Sequence, residues 1–210
     1  IGKVKIDLQK TKIDLMSFSD HKIYGSKGIG ALYIRKKNPK IGYPSLREKI
    51  TPLILGGGQE RGLRSGTQNV PAIVGFGKAI EIMKNNFDEE NSRLKFLRDK
   101  LLNGLLLELD NIFVNGDLNK RLPNNLNICF KGISADTLIL NTREIAVSTS
   151  SACSSGSIQP SYVLKAIGLT DQQAKSSVRI GIGRFNTEEE IEYVIKKYVE
   201  KVKYLRKINV

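Results

Sequence analysis

The chain has 210 residues and a formal net charge of +13, with a pI of about 9.7. Its 40% hydrophobic and 26% charged residues are those of a globular protein able to bury a core, and its apolar runs fall short of the roughly 20 residues that a membrane-spanning helix needs. The positive charge favours acidic partners, but the lysines are spread along the chain without interleaved aromatics or a nucleic-acid motif, which points to a solvated basic surface and away from a nucleic-acid interface.

At the N-terminus, "IGKVKIDLQKTKID" has neither a basic leader followed by an apolar stretch nor a small-residue cleavage site, so no secretory signal is read. It also lacks an initiator methionine, from which a fragment of a longer chain is expected. The two cysteines, Cys129 and Cys153, cannot build a disulfide framework. No cysteine or histidine pair has zinc-ligand spacing, so no metal site and a reducing cytoplasm are expected.

In chain order, "VKID", "DLMSFS" and "GALYIR" read as short strands bounded by turn residues, with Lys22 just beyond the second. "PLILGGGQERGLRSGT" reads as a strand entering a glycine-rich loop, where backbone approaches something closely. After Pro71 the period becomes helical in "AIVGFGKAIEIMKNN", and Leu94, Leu97, Leu101, Leu105 and Leu109 form an apolar core stripe. "NIFVNGD", "NLNICF" and "IAVSTS" read as strands, with a helical "ADTLILNTRE" between the last two that Ser134 could cap. "VRIGIGRF" is a further strand. Thr187 and Glu190 then form a capping-box pattern at the start of a long helix. Glu188 to Glu190 at its start and Lys201, Lys203 and Arg206 toward its end suit the macrodipole, and Ile191, Val194, Ile195, Tyr198, Val202 and Leu205 are expected to face inward. Residues 1–87 read as the end of a larger α/β sheet and residues 88–210 as a small α+β domain.

Two stretches stand out. "SFSDHKIYGSKGIG" holds the only histidine, His21, beside Lys22 and ahead of three glycines; a strand running into a polar turn is the plain explanation. "STSSACSSGS" sets Cys153 among side chains too small to fix a loop by packing, so an exposed, mobile segment is expected. Its cysteine is either a chance residue in a linker or a thiol on a tether that can carry an atom between sites. Cys129, in the apolar "NICF", reads as a small buried hydrophobe.

Taken together, "SFSDHKIYGSKGIGALYIR", "GGGQERGLRSGTQNVPAIVG", "STSSACSSGS...PSYVLKAIGL" and "SSVRIGIGRFNTEEEI" resemble, in order and over the whole chain, the cysteine desulfurases of the NifS/IscS type within the class V aminotransferases. The resemblance implies the α/β architecture of pyridoxal 5'-phosphate enzymes of fold type I: the C-terminal part of an aspartate aminotransferase-like large domain, followed by a small α+β domain carrying the catalytic-cysteine loop. It implies that Lys22 binds the cofactor aldehyde covalently and that Ser19 and His21 contact its phosphate. It implies that Thr67 reaches the phosphate of a neighbouring subunit, hence a homodimer. Arg179 would bind the substrate carboxylate, and Cys153 would be the nucleophile that takes sulfur from L-cysteine, leaving L-alanine and a protein persulfide for iron-sulfur cluster assembly or tRNA thiolation. An acidic sulfur acceptor or scaffold is the implied partner, in the cytoplasm or an organellar matrix.

The residue types suit these roles independently. An amine forms an imine only when unprotonated, which burial or a nearby positive charge promotes. Hydroxyl and imidazole groups donate to phosphate dianions, and a planar guanidinium matches a carboxylate.

Two departures from the family pattern are visible. Asp20 stands where a small residue is usual, and its charge would oppose phosphate unless turned away. The segment "NPKIGYPSLREKITP" is longer than is usual and reads as a surface elaboration. In the family, the aspartate that pairs with the pyridine nitrogen, a glutamine, the ring-stacking histidine and a second phosphate-binding threonine all precede the region matched here, so this chain by itself is not expected to complete an active site. The competing expectations are a cofactor-free basic persulfide carrier or docking module, and a selenocysteine lyase.

Overall fold

A computed structural model describes residues 1–35, 50–149 and 160–208. The chain divides into two compact units, Ile1–Phe87 and Asp88–Val210.

In the first unit, β1 (Leu15–Ser19) pairs antiparallel with β2 (Gly30–Ile34), in the register Leu15↔Ile34 through Ser19↔Gly30. A single 3-10 turn, Asp20–Ile23, joins β1 to the loop leading back into β2. Helix α1 (Val70–Asn85) opens on Asn69, whose side chain accepts the Ala72 N–H at 3.2 Å, and carries Pro71 in its first turn, where a missing N–H costs nothing. Ile23 from the turn packs on Phe76 and Ala79 of α1, with Phe18 meeting Phe76 edge to face at 5.9 Å. That small cluster seats the Asp20–Ile23 turn on the helix. Arg35 donates to the carbonyls of Leu8, Thr11 and Ile13, tying down a first segment that has no ladder of its own.

In the second unit, β3 (Ile112–Val114), β4 (Asn125–Phe130) and β5 (Ser177–Gly181) form an antiparallel sheet in that order. Helices α2 (Phe87–Glu108) and α6 (Glu188–Ile208) contribute to one core with it. Leu94, Leu97, Leu101, Leu105 and Leu109 are all buried there with Leu126, Ile128, Phe130, Val178 and Ile180. Burying a leucine contributes roughly 1.5–3 kcal/mol, so this stripe dominates the stability of the unit. At Gly104 the helices come so close that a Cβ would lie 2.5 Å from Ile195 Cδ1. Three short helices complete the unit: α3 (Ala135–Leu140), α4 (Tyr162–Ala166) and α5 (Asp171–Lys175).

Several local expectations hold. Thr187 Oγ1 accepts the Glu190 N–H at 3.3 Å while Glu190 Oε2 accepts the Thr187 N–H at 3.2 Å, the reciprocal box that starts α6. Ile191, Tyr198, Val202 and Leu205 are buried and Val194 and Ile195 pack against them.

Others do not. "VKID" forms no strand, and neither does "PLIL", where Leu53, Ile54 and Leu55 are exposed. Apolar composition alone cannot make a strand, because the backbone needs an edge to pair with. "IAVSTS" yields one bridge, Ser148↔Arg179, within its described part. Ser134 occupies the N-cap of α3 but its side chain makes no capping hydrogen bond. Helices α4 and α5 go unread in the sequence, although Ser161 caps the first and a Thr170–Gln173 capping box starts the second. Residues 1–87, read as the end of a larger sheet, contribute the β1–β2 pair among the described residues.

Candidate active site

Ser19, His21 and Lys22 sit together because β1 ends at Ser19 and the chain then tightens into the Asp20–Ile23 turn. The turn has two faces. Asp20 and Ile23, three apart and hence on one side, are buried; His21 and Lys22 are exposed on the other, and Ser19 is half-buried beside them. Tyr24 closes the turn in the left-handed region at φ 68°, its N–H donating to the Asp20 carbonyl.

Asp20 is turned away from the exposed face. Its Oδ2 accepts the Ser26 N–H at 2.7 Å, and the carboxylate lies against Gly25 so closely that a Cβ on Gly25 would coincide with it. The departure from the family pattern thus places no charge among Ser19, His21 and Lys22.

Thr67 belongs to the same unit, on the loop Gly56–Gln68, and is exposed. The loop folds on itself: Gly66 N–H donates to Gln59 Oε1 at 3.0 Å, Gly58 N–H to Ser65 Oγ at 3.3 Å, and Arg64 to the carbonyls of Gly66 and Thr67. Gly58, Gly62 and Gly66 adopt positive φ of 77°, 81° and 107°, conformations open to glycine. Glu60 and Arg61 are also left-handed, at 51° and 59°. Backbone strain of that kind concentrates where a loop is shaped for contact.

Arg179 lies in the second unit, in the middle of β5 opposite Asn127. Its N–H donates to the Ser148 carbonyl at 2.7 Å and its carbonyl accepts the Ser148 N–H at 3.2 Å. The strand bearing Arg179 is therefore stitched to the start of the serine-rich segment, a link between positions 31 apart that no local pattern could reveal. Cys153 itself lies outside the described residues, as does most of the elongated segment after Arg35.

Cys129 is fully buried on β4, on the side facing α5, where it borders a cavity of about 330 Å³ with Lys131, Thr170, Gln173 and Ser176. Burial pushes its thiol up, against weaker opposite pulls from the Ser177 hydroxyl and Lys131. A thiol held protonated is a poor nucleophile, in keeping with its expected role as a small core side chain.

One property unites Ser19, His21, Lys22, Thr67 and Arg179: none of their side chains hydrogen-bonds or ion-pairs with a described residue. The chain holds its other interior arginines differently. Arg98, 4% exposed, engages Asp99, and Arg93 donates to the carbonyls of Gly183, Arg184 and Asn186. Among the described residues no cluster of histidine, cysteine, aspartate or glutamate could hold a metal ion, and no helix is long and apolar enough to cross a membrane.

Comparison with known proteins places these features in context. The profile described as "Aminotransferase class-V" matches residues 1–194. The chain is 50% identical over 208 residues to "Cysteine desulfurase IscS" of Methylobacillus flagellatus, covering 99% of this chain and 49% of that protein. It is 47% identical over 208 residues to "Cysteine desulfurase, mitochondrial" of Saccharomyces cerevisiae, covering 99% of this chain and 40% of that protein. Among solved structures, a "NIFS-LIKE PROTEIN" superposes with a TM-score of 0.80 at 39% identity, over 97% of this chain and 50% of the other. The chain spans about half the length of these relatives or less.

Proposed function

Because this chain belongs to the class-V aminotransferase family, we propose that it is the C-terminal half of a cysteine desulfurase: Ser19, His21 and Lys22 hold pyridoxal 5'-phosphate, Arg179 binds L-cysteine, and Cys153 receives its sulfur. The observation that carries this reading is the uncommitted donor set at one turn, a hydroxyl, an imidazole and an amine side by side with the Asp20 carboxylate turned inward. The cofactor, when bound, supplies the electron sink that weakens bonds at the substrate's α-carbon.

The rest is work for the chain's own residues. Ser19 and His21 donate hydrogen bonds to phosphate oxygens, and charge-assisted bonds of this kind are about twice as strong as neutral ones. Lys22 provides the amine for covalent attachment and, when released, a base beside the substrate. Arg179 grips the substrate carboxylate with its planar fork, which fixes the sulfur's approach. Cys153 attacks that sulfur as a thiolate: the new S–S bond forms as the substrate's C–S bond breaks, and the carbon fragment departs as alanine after protonation.

The Ser148–Arg179 bridge supports the pairing of nucleophile and substrate clamp. Cys153 follows Ser148 by 5 residues, and an extended chain of that length spans at most roughly 18 Å. The exposed Leu53, Ile54, Leu55, Val70 and Val74 of the first unit support a homodimer, or cover by the remaining half of the relatives' length. The net charge of +13 supports an acidic sulfur acceptor. The compartment that follows from this reading is the cytoplasm or an organellar matrix.

The test uses protein expressed from the complete reading frame. Incubation with pyridoxal phosphate and reduction with borohydride should label Lys22 specifically, and Lys22→Ala should remove both the label and the cofactor's absorption band. Cys153→Ser should keep the band and lose sulfur transfer. Failure to label wild-type Lys22 would reject the enzyme in favour of a cofactor-free persulfide carrier.

A further inference from the structure

Among the described residues Asp20 is the most tightly enclosed polar residue of the first unit, at 0% exposure, and nothing assigned so far uses it. Three of its groups make four hydrogen bonds that close the segment that follows. Its N–H donates to the Ile29 carbonyl at 3.2 Å, its carbonyl accepts from Tyr24 and, at 3.2 Å, from Gly25, and its Oδ2 accepts from Ser26 at 2.7 Å. The carboxylate fills the space where a side chain on residue 25 would stand. Its Oδ1 is buried without a hydrogen-bond partner.

A buried carboxylate with one oxygen unpartnered is costly, so a turn that keeps one must gain from its geometry. The gain is legible in the arrangement. With Asp20 and Ile23 anchored inward, the two residues between them have no choice but to face out, and the β1 end brings Ser19 alongside.

On the proposed reading of this turn as the cofactor-binding site, we infer that Asp20 is a positioning residue: by accepting the Ser26 N–H and occupying the side-chain space of Gly25, it fixes the turn that presents Ser19, His21 and Lys22 together. The role belongs to the acceptor and its shape, not to the negative charge. Asp20 in this orientation consequently requires glycine at position 25.

Two substitutions separate these ideas in the full-length protein. Asp20→Asn keeps an acceptor of the same size, whereas Asp20→Ala removes it. Amide exchange at Ser26, which needs no cofactor, should speed up at least about tenfold in Asp20→Ala and stay within about threefold of wild type in Asp20→Asn. The pyridoxal phosphate concentration that half-saturates borohydride labelling of Lys22 should rise by about tenfold or more in Asp20→Ala and recover with Asp20→Asn. Gly25→Ala should lose labelling, and Asp20→Gly combined with Gly25→Ala should regain a part of it, which two independent structural defects would not do.

Unchanged Ser26 exchange in Asp20→Ala, or unchanged labelling, would overturn the inference. So would an Asp20→Asn protein as impaired as Asp20→Ala, because charge would then be the active property. If wild-type Lys22 takes no label at all, the functional reading falls, and Ser26 exchange with the Asp20–Gly25 coupling in thermal melts still decides the positioning claim.

Discussion

Arg179→Ala separates substrate binding from folding. The backbone of Arg179 is held by the β4–β5 ladder and by the two Ser148 hydrogen bonds, 2.7 and 3.2 Å, neither of which involves its side chain. The half-buried guanidinium bonds to no described residue, so truncation should alter stability by no more than about 0.5 kcal/mol. On the proposed reading the same truncation removes a charge-assisted grip on the substrate carboxylate worth about 1.5–3 kcal/mol, or roughly 10- to 150-fold in kcat/KM. The carboxylate keeps its charge through the reaction, so the loss should fall mainly on KM and less on kcat. Arg179→Lys keeps the charge without the planar fork and should lie between. Alanine release measured against L-cysteine concentration, with thermal melts of both variants, tests this. An unchanged KM, or a fall in activity matched by a large fall in Tm, would refute the reasoning.

The Tyr198 hydroxyl is buried without a hydrogen-bond partner, the neighbouring Thr142 hydroxyl being given to the Leu138 carbonyl at 2.8 Å, and burial pushes the phenol up to about 12 against a smaller opposite pull from Thr142. Tyr198→Phe should therefore stabilise the chain by about 1 kcal/mol, raising Tm by about 2–4 °C, and a destabilised variant in urea titration would contradict it. Partial burial pushes the Asp99 carboxyl up, but hydrogen bonds and charge from Lys95 and Arg98 outweigh it and hold the group below its ordinary value. A depressed carboxylate stabilises above its unfolded pKa of about 3.9 and loses that contribution as pH falls through the folded value. With solvent screening discounted, Asp99→Asn should cost about 1 kcal/mol at pH 7 and progressively less as pH falls through the folded value, and a pH-independent difference would reject the assignment. Iodoacetamide at neutral pH should modify Cys153 and spare the buried Cys129 in native protein, read by peptide mass spectrometry; Cys129→Ala should leave sulfur transfer intact, and comparable labelling of both thiols would undo the distinction.

Much of the fold can be read along the chain wherever the deciding interactions are local. The leucine stripe of α2, the inward positions of α6 and its Thr187–Glu190 box are all relations between residues a few positions apart, and the helix period exposes them directly. Helices α4 and α5 are too short to show that period, although the Thr170–Gln173 pair was visible as a capping signal. Strands are another matter: "VKID", "PLIL" and "IAVSTS" have suitable compositions, and their fate depended on whether a partner edge lay within reach. The candidate site divides along the same line. The resemblance carried by "SFSDHK", "RSGT" and "SSVRIG" is enough to single out Ser19, His21, Lys22, Thr67 and Arg179 as the proposed donors.

Asp20 shows the limit of such reading. Its side chain announces a charge beside the proposed phosphate site, and whether that charge helps or harms depends on which way the side chain turns. Packing of Ile23 against Phe76 and Ala79 buries one side of the turn and sends Asp20 inward to Ser26 and Gly25. The stitch between Ser148 and Arg179 is likewise a product of folding, since strand pairing joins residues by proximity in space and leaves no trace in their spacing along the chain. Chemistry-bearing residues declare themselves by type and order, because chemistry belongs to the side chain; their orientation and company are settled by burial and pairing, which belong to the whole folded chain.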